Sequence, residues 1–107
     1  MNSAVIVLTT WPANDDPAAL ARTLVGERLA ACVNVLPEMQ STYRWKDHID
    51  SDAERQIVIK TTEGRLIDLE ARLLALHPYE VPEFLVIPVT SGSESYLAWL
   101  IDAVTRT

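Results

Sequence analysis

The chain contains one cysteine, three glycines and no long apolar run. Because a single cysteine cannot close a disulfide within the chain, the class of small disulfide-stapled scaffolds is excluded. The first apolar run, residues 4–8, is too short for a signal-peptide core or a membrane span. We therefore expect a reduced, cytoplasmic setting and no membrane partner.

Basic residues are few and scattered. Nine Lys and Arg stand against fifteen Asp and Glu, which gives a net charge of -6. Binding to phosphates requires clustered Lys and Arg, so nucleic acid and anionic membranes are disfavoured as main partners. The 49% of apolar residues is enough for a hydrophobic core, and 107 residues fit one domain that spans residues 1–107.

The spacing of apolar residues predicts four strands and three helices. Consecutive β-branched residues indicate buried strands, and leucines at helical spacing indicate amphipathic helices. The predicted elements are a strand at residues 3–10, a helix from Asn14–Pro17 to about residue 30, a short strand from Cys32 to Pro37, a hairpin over 40–60 with a loop at 47–52, a helix from Leu66 that Pro78 ends, a strand at 84–87, and a last helix that a capping box of Ser91 and Glu94 begins.

This order, β-α-β-β-α-β followed by an extra helix, is the split βαβ or ferredoxin-like arrangement of the α+β class. Its sheet is antiparallel, and strands two and four lie at opposite edges. Crossovers of this kind are right-handed in nearly all proteins, so both crossover helices should cover the same face of the sheet.

Three predicted strands carry unbroken apolar runs, at residues 5–8, 57–59 and 84–87. Since successive strand residues point to opposite faces, both faces of the sheet should be apolar, and two helices cover only one of them. We therefore expect the second face to pack against other copies of the chain. The hairpin with Tyr43 and Trp45 is a candidate arm for that contact; alternatively, both rings pack on their own sheet.

The segment His77–Glu83 gathers an imidazole, a phenol and two carboxylates between two prolines. It follows a predicted helix and precedes a predicted strand, so it holds these groups at an edge of the sheet. Two interpretations are open, a rigid connector and a functional site.

Five short segments occur in an order that resembles the CutA family, the divalent-cation tolerance proteins. They are Ala30–Asn34, Tyr43–Trp45, Lys60–Thr62, His77–Glu83 and Tyr96–Leu100. The resemblance covers nearly the whole chain, from about Val5 to Val104. It implies a ferredoxin-like homotrimer, similar in plan to the PII signalling proteins, that binds copper or related divalent cations such as zinc.

The residues that favour copper or zinc are few. Thiolate and imidazole are the preferred ligands and carboxylate is a harder one, which points to Cys32, His77 and Glu83. Because strands two and four lie at opposite edges, we expect such a site to be completed between subunits. The structural alternatives are a small core cysteine, a histidine that interacts with a helix dipole, and a solvated carboxylate. His48, in a polar loop, is expected to be solvated.

Two further functions are alternatives to metal binding. A PII-like sensor would bind a small ligand in an inter-subunit cleft, for which the candidate residues are Tyr43, Trp45, Lys60, Tyr79 and Glu80. Lys60 and Arg65 would then meet a small anion. An acyl-phosphate hydrolase would need a basic or glycine-rich phosphate cradle, which the sequence near Asn14 lacks. We therefore expect no enzymatic activity.

Overall fold

The computed structural model describes residues 3–105. A 3-10 turn, Glu63–Arg65, precedes the second helix. The elements are β1 (Ala4–Pro12), α1 (Ala18–Gly26), β2 (Cys32–Trp45), β3 (His48–Thr62), α2 (Leu66–Leu76), β4 (Leu85–Pro88) and α3 (Glu94–Val104). The predicted order and the α+β class are confirmed. Within residues 3–105, none of the helices has the length and apolarity that a membrane crossing requires.

The four strands form one sheet in the order β2-β3-β1-β4, and every neighbouring pair is antiparallel. The edges of the sheet are therefore β2 and β4, as the split βαβ order predicts. Two residues that matter below, Cys32 and Glu83, lie on or next to these opposite edges.

One face of the sheet carries the main core. Leucines four residues apart on each crossover helix, Leu20 and Leu24 on α1 and Leu69 and Leu73 on α2, project from one side of their helices. They form one buried cluster with residues of β1 and β3, namely Val7, Trp11, Ile57 and Ile59. The prediction that both crossover helices share a face is consistent with this cluster.

The other face is covered only in part. Helix α3 buries Leu100 and Val104 against Ala4 and Ala31, which form a second, smaller cluster. Strand β4 stays open in the single chain: Leu85, Val86 and Ile87 are 55%, 41% and 44% exposed.

The hairpin is longer than the sequence suggests, and the predicted loop at residues 47–52 is wrong. Strands β2 and β3 continue to a two-residue turn at Lys46 and Asp47, whose φ angles are 49° and 66°. Positive φ at both positions is the geometry that joins twisted antiparallel strands. The end of strand two at Pro37 is also wrong, because β2 passes Pro37 through an irregularity between Val35 and Glu38.

Two helix ends also differ from prediction. Helix α1 ends at Gly26 and not near residue 30. Helix α3 is capped by Ser93, whose hydroxyl accepts a hydrogen bond from the backbone N–H of Tyr96, and not by Ser91. The α2 helix before Pro78 begins and ends as predicted.

Candidate functional site

His77 anchors the proline-framed segment. The residue is 8% exposed, and both ring nitrogens have partners. Nδ1 accepts a hydrogen bond from the backbone N–H of Tyr79 at 3.1 Å, and Nε2 lies 2.7 Å from the carbonyl oxygen of Thr10. Because Nδ1 accepts, the ring proton is on Nε2, which donates a hydrogen bond to the carbonyl oxygen of Thr10. This is the pattern of a neutral imidazole.

The His77 ring is also held between two aromatic rings. Its centroid is 4.6 Å from that of Trp11 and 4.8 Å from that of Tyr79, both in tilted arrangements. The residue is the C-cap of α2: its backbone N–H donates to the carbonyl oxygen of Leu73 at 2.9 Å, and its own backbone is extended. Burial of the ring fixes the start of the segment against β1.

A hydrogen bond joins Tyr79, in the same segment, to Glu54 on β3. The Tyr79 hydroxyl donates to Glu54 Oε2 at 2.6 Å, and Glu54 is a buried residue, 8% exposed. Burial and this hydrogen bond to a carboxylate both hold the pKa of Tyr79 well above its usual value. The phenol therefore remains a proton donor throughout the physiological range.

Two similar pairs continue along the hairpin. The Tyr43 hydroxyl donates to Asp52, and this bond is the main reason that the pKa of Tyr43 is raised to about 12. Gln56 Nε2 donates to Glu83 Oε2 at 2.9 Å and to the carbonyl oxygen of Thr9 at 2.7 Å. Uncharged donors thus hold the carboxylates in place.

Together the hairpin and the segment after His77 enclose a cleft with a cavity of about 740 Å³. On β3, every second residue from Asp52 to Gln56 contributes, since side chains alternate between faces. We call this the acidic cleft. Its walls include Met39, Tyr43, Trp45, Asp52, Glu54, Gln56, Tyr79, Glu80, Val81 and Glu83, with no Lys, Arg or His among the lining residues described.

Comparison with known proteins identifies relatives of this chain in sequence and in fold. Residues 5–103 match the family model described as the CutA1 divalent ion tolerance protein. The chain belongs to the CutA1 family. It is 43% identical over 95 residues to a divalent-cation tolerance protein CutA of Thermus thermophilus, covering 89% of this chain and 92% of the relative.

Other CutA relatives agree in sequence and fold. The chloroplastic CutA protein of Arabidopsis thaliana is 40% identical over 91% of this chain, which spans about half (53%) of that longer relative. The crystal structure of CutA1 from Oryza sativa superposes with a TM-score of 0.91 at 34% identity, covering 100% of both chains. The resemblance to the CutA family inferred from the five segments is confirmed.

The CutA1 fold brings together four of the five residues predicted for a cleft. Tyr43, Trp45, Tyr79 and Glu80 line the acidic cleft of one chain. Lys60 lies elsewhere, with its Nζ atom 5.8 Å from the centroid of the Tyr96 ring on α3.

The three predicted metal ligands do not meet within one chain. Cys32 begins β2 and pairs across the strand with Lys60, His77 is buried beside Trp11, and Glu83 lines the acidic cleft. Among residues 3–105, no three side chains of His, Cys, Asp and Glu lie close enough to hold one ion. Within the described part of one chain, Cys32, His77 and Glu83 therefore do not form a site, and a site completed between copies stays a prediction.

Asp52, Glu54 and Gln56 were missed as site residues because Asp52 was assigned to a loop. The signal that could have identified them is the alternation of acidic and polar residues at positions 50, 52, 54 and 56, which is typical of one face of a strand.

Burial of His77 predicts a pH-dependent stability. Burial lowers the pKa of His77 from 6.5, and the Thr10 carbonyl and the Glu54 carboxylate oppose this only in part. Below about pH 6.5 the unfolded chain therefore binds a proton that the folded chain does not, so the free energy of unfolding falls as the pH falls.

Urea unfolding between about pH 7.5 and about pH 5.5 measures this dependence, because His is the side chain that ordinarily titrates there. The free energy of unfolding should increase with pH in the wild type, and this increase should be smaller in His77→Ala. A stability that stays constant or increases as the pH falls would contradict the neutral, buried imidazole.

Proposed function

We propose that this CutA1-family chain works as a cytoplasmic homotrimer that binds divalent cations, copper or a related ion such as zinc, and takes no part in catalysis. The observation that carries the proposal is the match of residues 5–103 to the divalent ion tolerance family. The single cysteine is in keeping with a reducing compartment.

The trimer is supported by apolar surface that the single chain leaves open. Leu85, Val86 and Ile87 form an exposed edge strand, and Trp99 on α3 is 47% exposed. Edge strands with free backbone groups and apolar side chains pair with other chains unless something covers them. Closing this surface with other copies would bury it in a symmetric assembly.

The proposed metal ligand is first of all Cys32, since thiolate is the soft donor that copper and zinc favour. Its side chain is partly exposed at the edge of the sheet, and Sγ lies 3.8 Å from Asn34 Oδ1. Glu83 and His77 would join from another copy, and His77 would have to give up one of its two hydrogen bonds. Metal binding would thus depend on the assembly.

A copper titration of Cys32→Ser tests this site. We expect the affinity for copper to fall about tenfold or more, because the soft ligand is lost, while the mass of the assembly is unchanged. Isothermal calorimetry measures the first and sedimentation velocity the second. His48→Ala, which alters an exposed histidine, is the matched control and should bind copper like the wild type. Unchanged copper stoichiometry and affinity in Cys32→Ser would reject Cys32 as a ligand.

A second candidate function, sensing of a small molecule, is favoured by the acidic cleft. The anion predicted to meet Lys60 and Arg65 between subunits would not find these two residues in the acidic cleft of one chain. Lys60 is not among the residues that line the cleft, and the Arg65 guanidinium donates to the Arg28 carbonyl oxygen at 3.2 Å and lies 3.7 Å from Asp68. A sensor built on this cleft would need a ligand of the opposite charge.

A further inference from the structure

We propose that the acidic cleft binds a small organic ammonium ion, whose charge meets Glu54 and Glu83 and whose carbon skeleton packs on the aromatic wall formed by Tyr43, Trp45 and Tyr79. This inference deepens the second candidate function, on which it rests. The ammonium site shares Glu83 with the proposed metal site but does not include Cys32.

The charge of the cleft is the first reason. Four carboxylates, those of Asp52, Glu54, Glu80 and Glu83, line one cavity, and no basic residue lines it among those described. The two ion pairs found within residues 3–105, Arg65–Asp68 and Arg72–Glu27, involve none of them. Carboxylates on the walls of a concave, low-dielectric site concentrate negative potential there, so the cleft selects a cation.

The environment of Glu54 is a second, separate reason. The residue is more than nine-tenths buried, and within residues 3–105 its only side-chain hydrogen bond is at Oε2, from Tyr79. Oε1 has no protein donor there and is not one of the fully buried atoms without a partner, so solvent in the cleft still reaches it. A carboxylate in a mostly buried residue without a cationic partner loses part of its hydration, which costs free energy. An ammonium ion in the cleft would supply the missing donor and the missing charge together.

The size of the acidic cleft and its aromatic wall favour an organic cation over a metal ion. The carboxylates do not converge as three ligands on one point, yet all border a cavity of about 740 Å³, a volume typical of small-molecule sites. Aromatic faces attract ammonium groups through their negative quadrupole. The Trp45 ring already lies 5.6 Å from the Lys46 ammonium, which is not among the lining residues.

Three probes with one carbon skeleton test the charge preference: butylammonium, butanol and butyrate, at equal ionic strength. The readout is the indole N–H signal of Trp45 in ¹⁵N NMR spectra of the full chain. The chain has three tryptophans, and Trp11 and Trp99 do not line the cleft, so their signals are internal references. We expect saturable shifts of the Trp45 signal with butylammonium alone. Equal shifts with butanol, or none with any probe, would overturn the proposal.

Glu54→Gln tests the assigned residue. Glutamine keeps an oxygen that can accept from Tyr79 but loses the charge, so butylammonium should bind about tenfold more weakly or worse. Glu83→Gln provides a second test should the first variant fold poorly, which the Trp11 and Trp99 signals would reveal. Glu70→Gln, on the exposed side of α2, is the matched control and should bind normally. Wild-type affinity in both Glu54→Gln and Glu83→Gln would refute the site.

Cys32→Ser separates this inference from metal binding. The variant should bind butylammonium like the wild type, because Cys32 does not line the cleft. If butylammonium fails to bind while copper binds normally, only the ammonium site is rejected. If copper fails to bind while butylammonium binds, the metal proposal is rejected and the ammonium site stands.

Discussion

The His77→Ala variant is expected to lose about 3 kcal/mol of unfolding free energy. The substitution leaves the backbone N–H of Tyr79 and the carbonyl oxygen of Thr10 without their partners, and each unsatisfied buried group costs about 1–3 kcal/mol. It also removes the imidazole ring that contacts Trp11 on one side and Tyr79 on the other. Urea unfolding at a fixed chain concentration measures the loss, since oligomers unfold in a concentration-dependent manner.

His48→Ala is the control for this prediction. His48 is exposed beside the hairpin turn, so its removal should change the free energy of unfolding by less than about 0.5 kcal/mol. If His77→Ala kept wild-type stability, the structural role assigned to the His77 ring would be wrong, whatever the effect of the substitution on copper binding.

The Ile87→Asp variant is expected to break the proposed trimer into single chains of 11.9 kDa at micromolar concentration. Ile87 lies on the edge strand β4 and is 44% exposed in the single chain. In the assembly a carboxylate there would be buried without a partner, at a cost of several kcal/mol. The fold itself should survive, because the side chain lies outside both buried clusters.

Ile67→Asp is the matched control, with the same change on the outer surface of α2. Ile67 is 85% exposed and lies on α2, the helix that covers the face of the sheet with the main core. The assembly should therefore remain intact. Sedimentation velocity distinguishes the two variants, and circular dichroism checks that both are folded. An Ile87→Asp protein that sediments like the wild type would place the contact between copies elsewhere.

Elements with strong apolar periodicity could be predicted from the sequence. The leucines of α2 predict a helix and the β-branched residues of β1 predict a strand. Both predictions hold because burial of apolar side chains is the largest favourable contribution to the free energy of folding of these elements. The outer half of the hairpin could not be predicted, since residues 47–54 are mostly polar and exposed. Backbone pairing and a two-residue turn hold these strands together, and neither needs apolar side chains.

Part of the candidate site could be predicted from the sequence, and part of it could not. The segment from His77 to Glu83 combines both of its proposed roles, because buried His77 fixes it while Tyr79, Glu80 and Glu83 line the cleft. Lys60 was predicted to line a cleft between subunits, because it lies at a strand end with Arg65 soon after it. Within one chain it is six residues from Glu54 on the same strand, about 20 Å away, so only Lys60 of another copy could reach the acidic cleft.

Native mass spectrometry with and without one equivalent of Cu²⁺ tests the central claim most directly, because it counts chains and metal ions in the same particle. The account predicts a particle of three chains, each of 11.9 kDa, that gains copper, and a Cys32→Ser particle of three chains that gains less. A single chain, or a trimer that gains no copper, would contradict it.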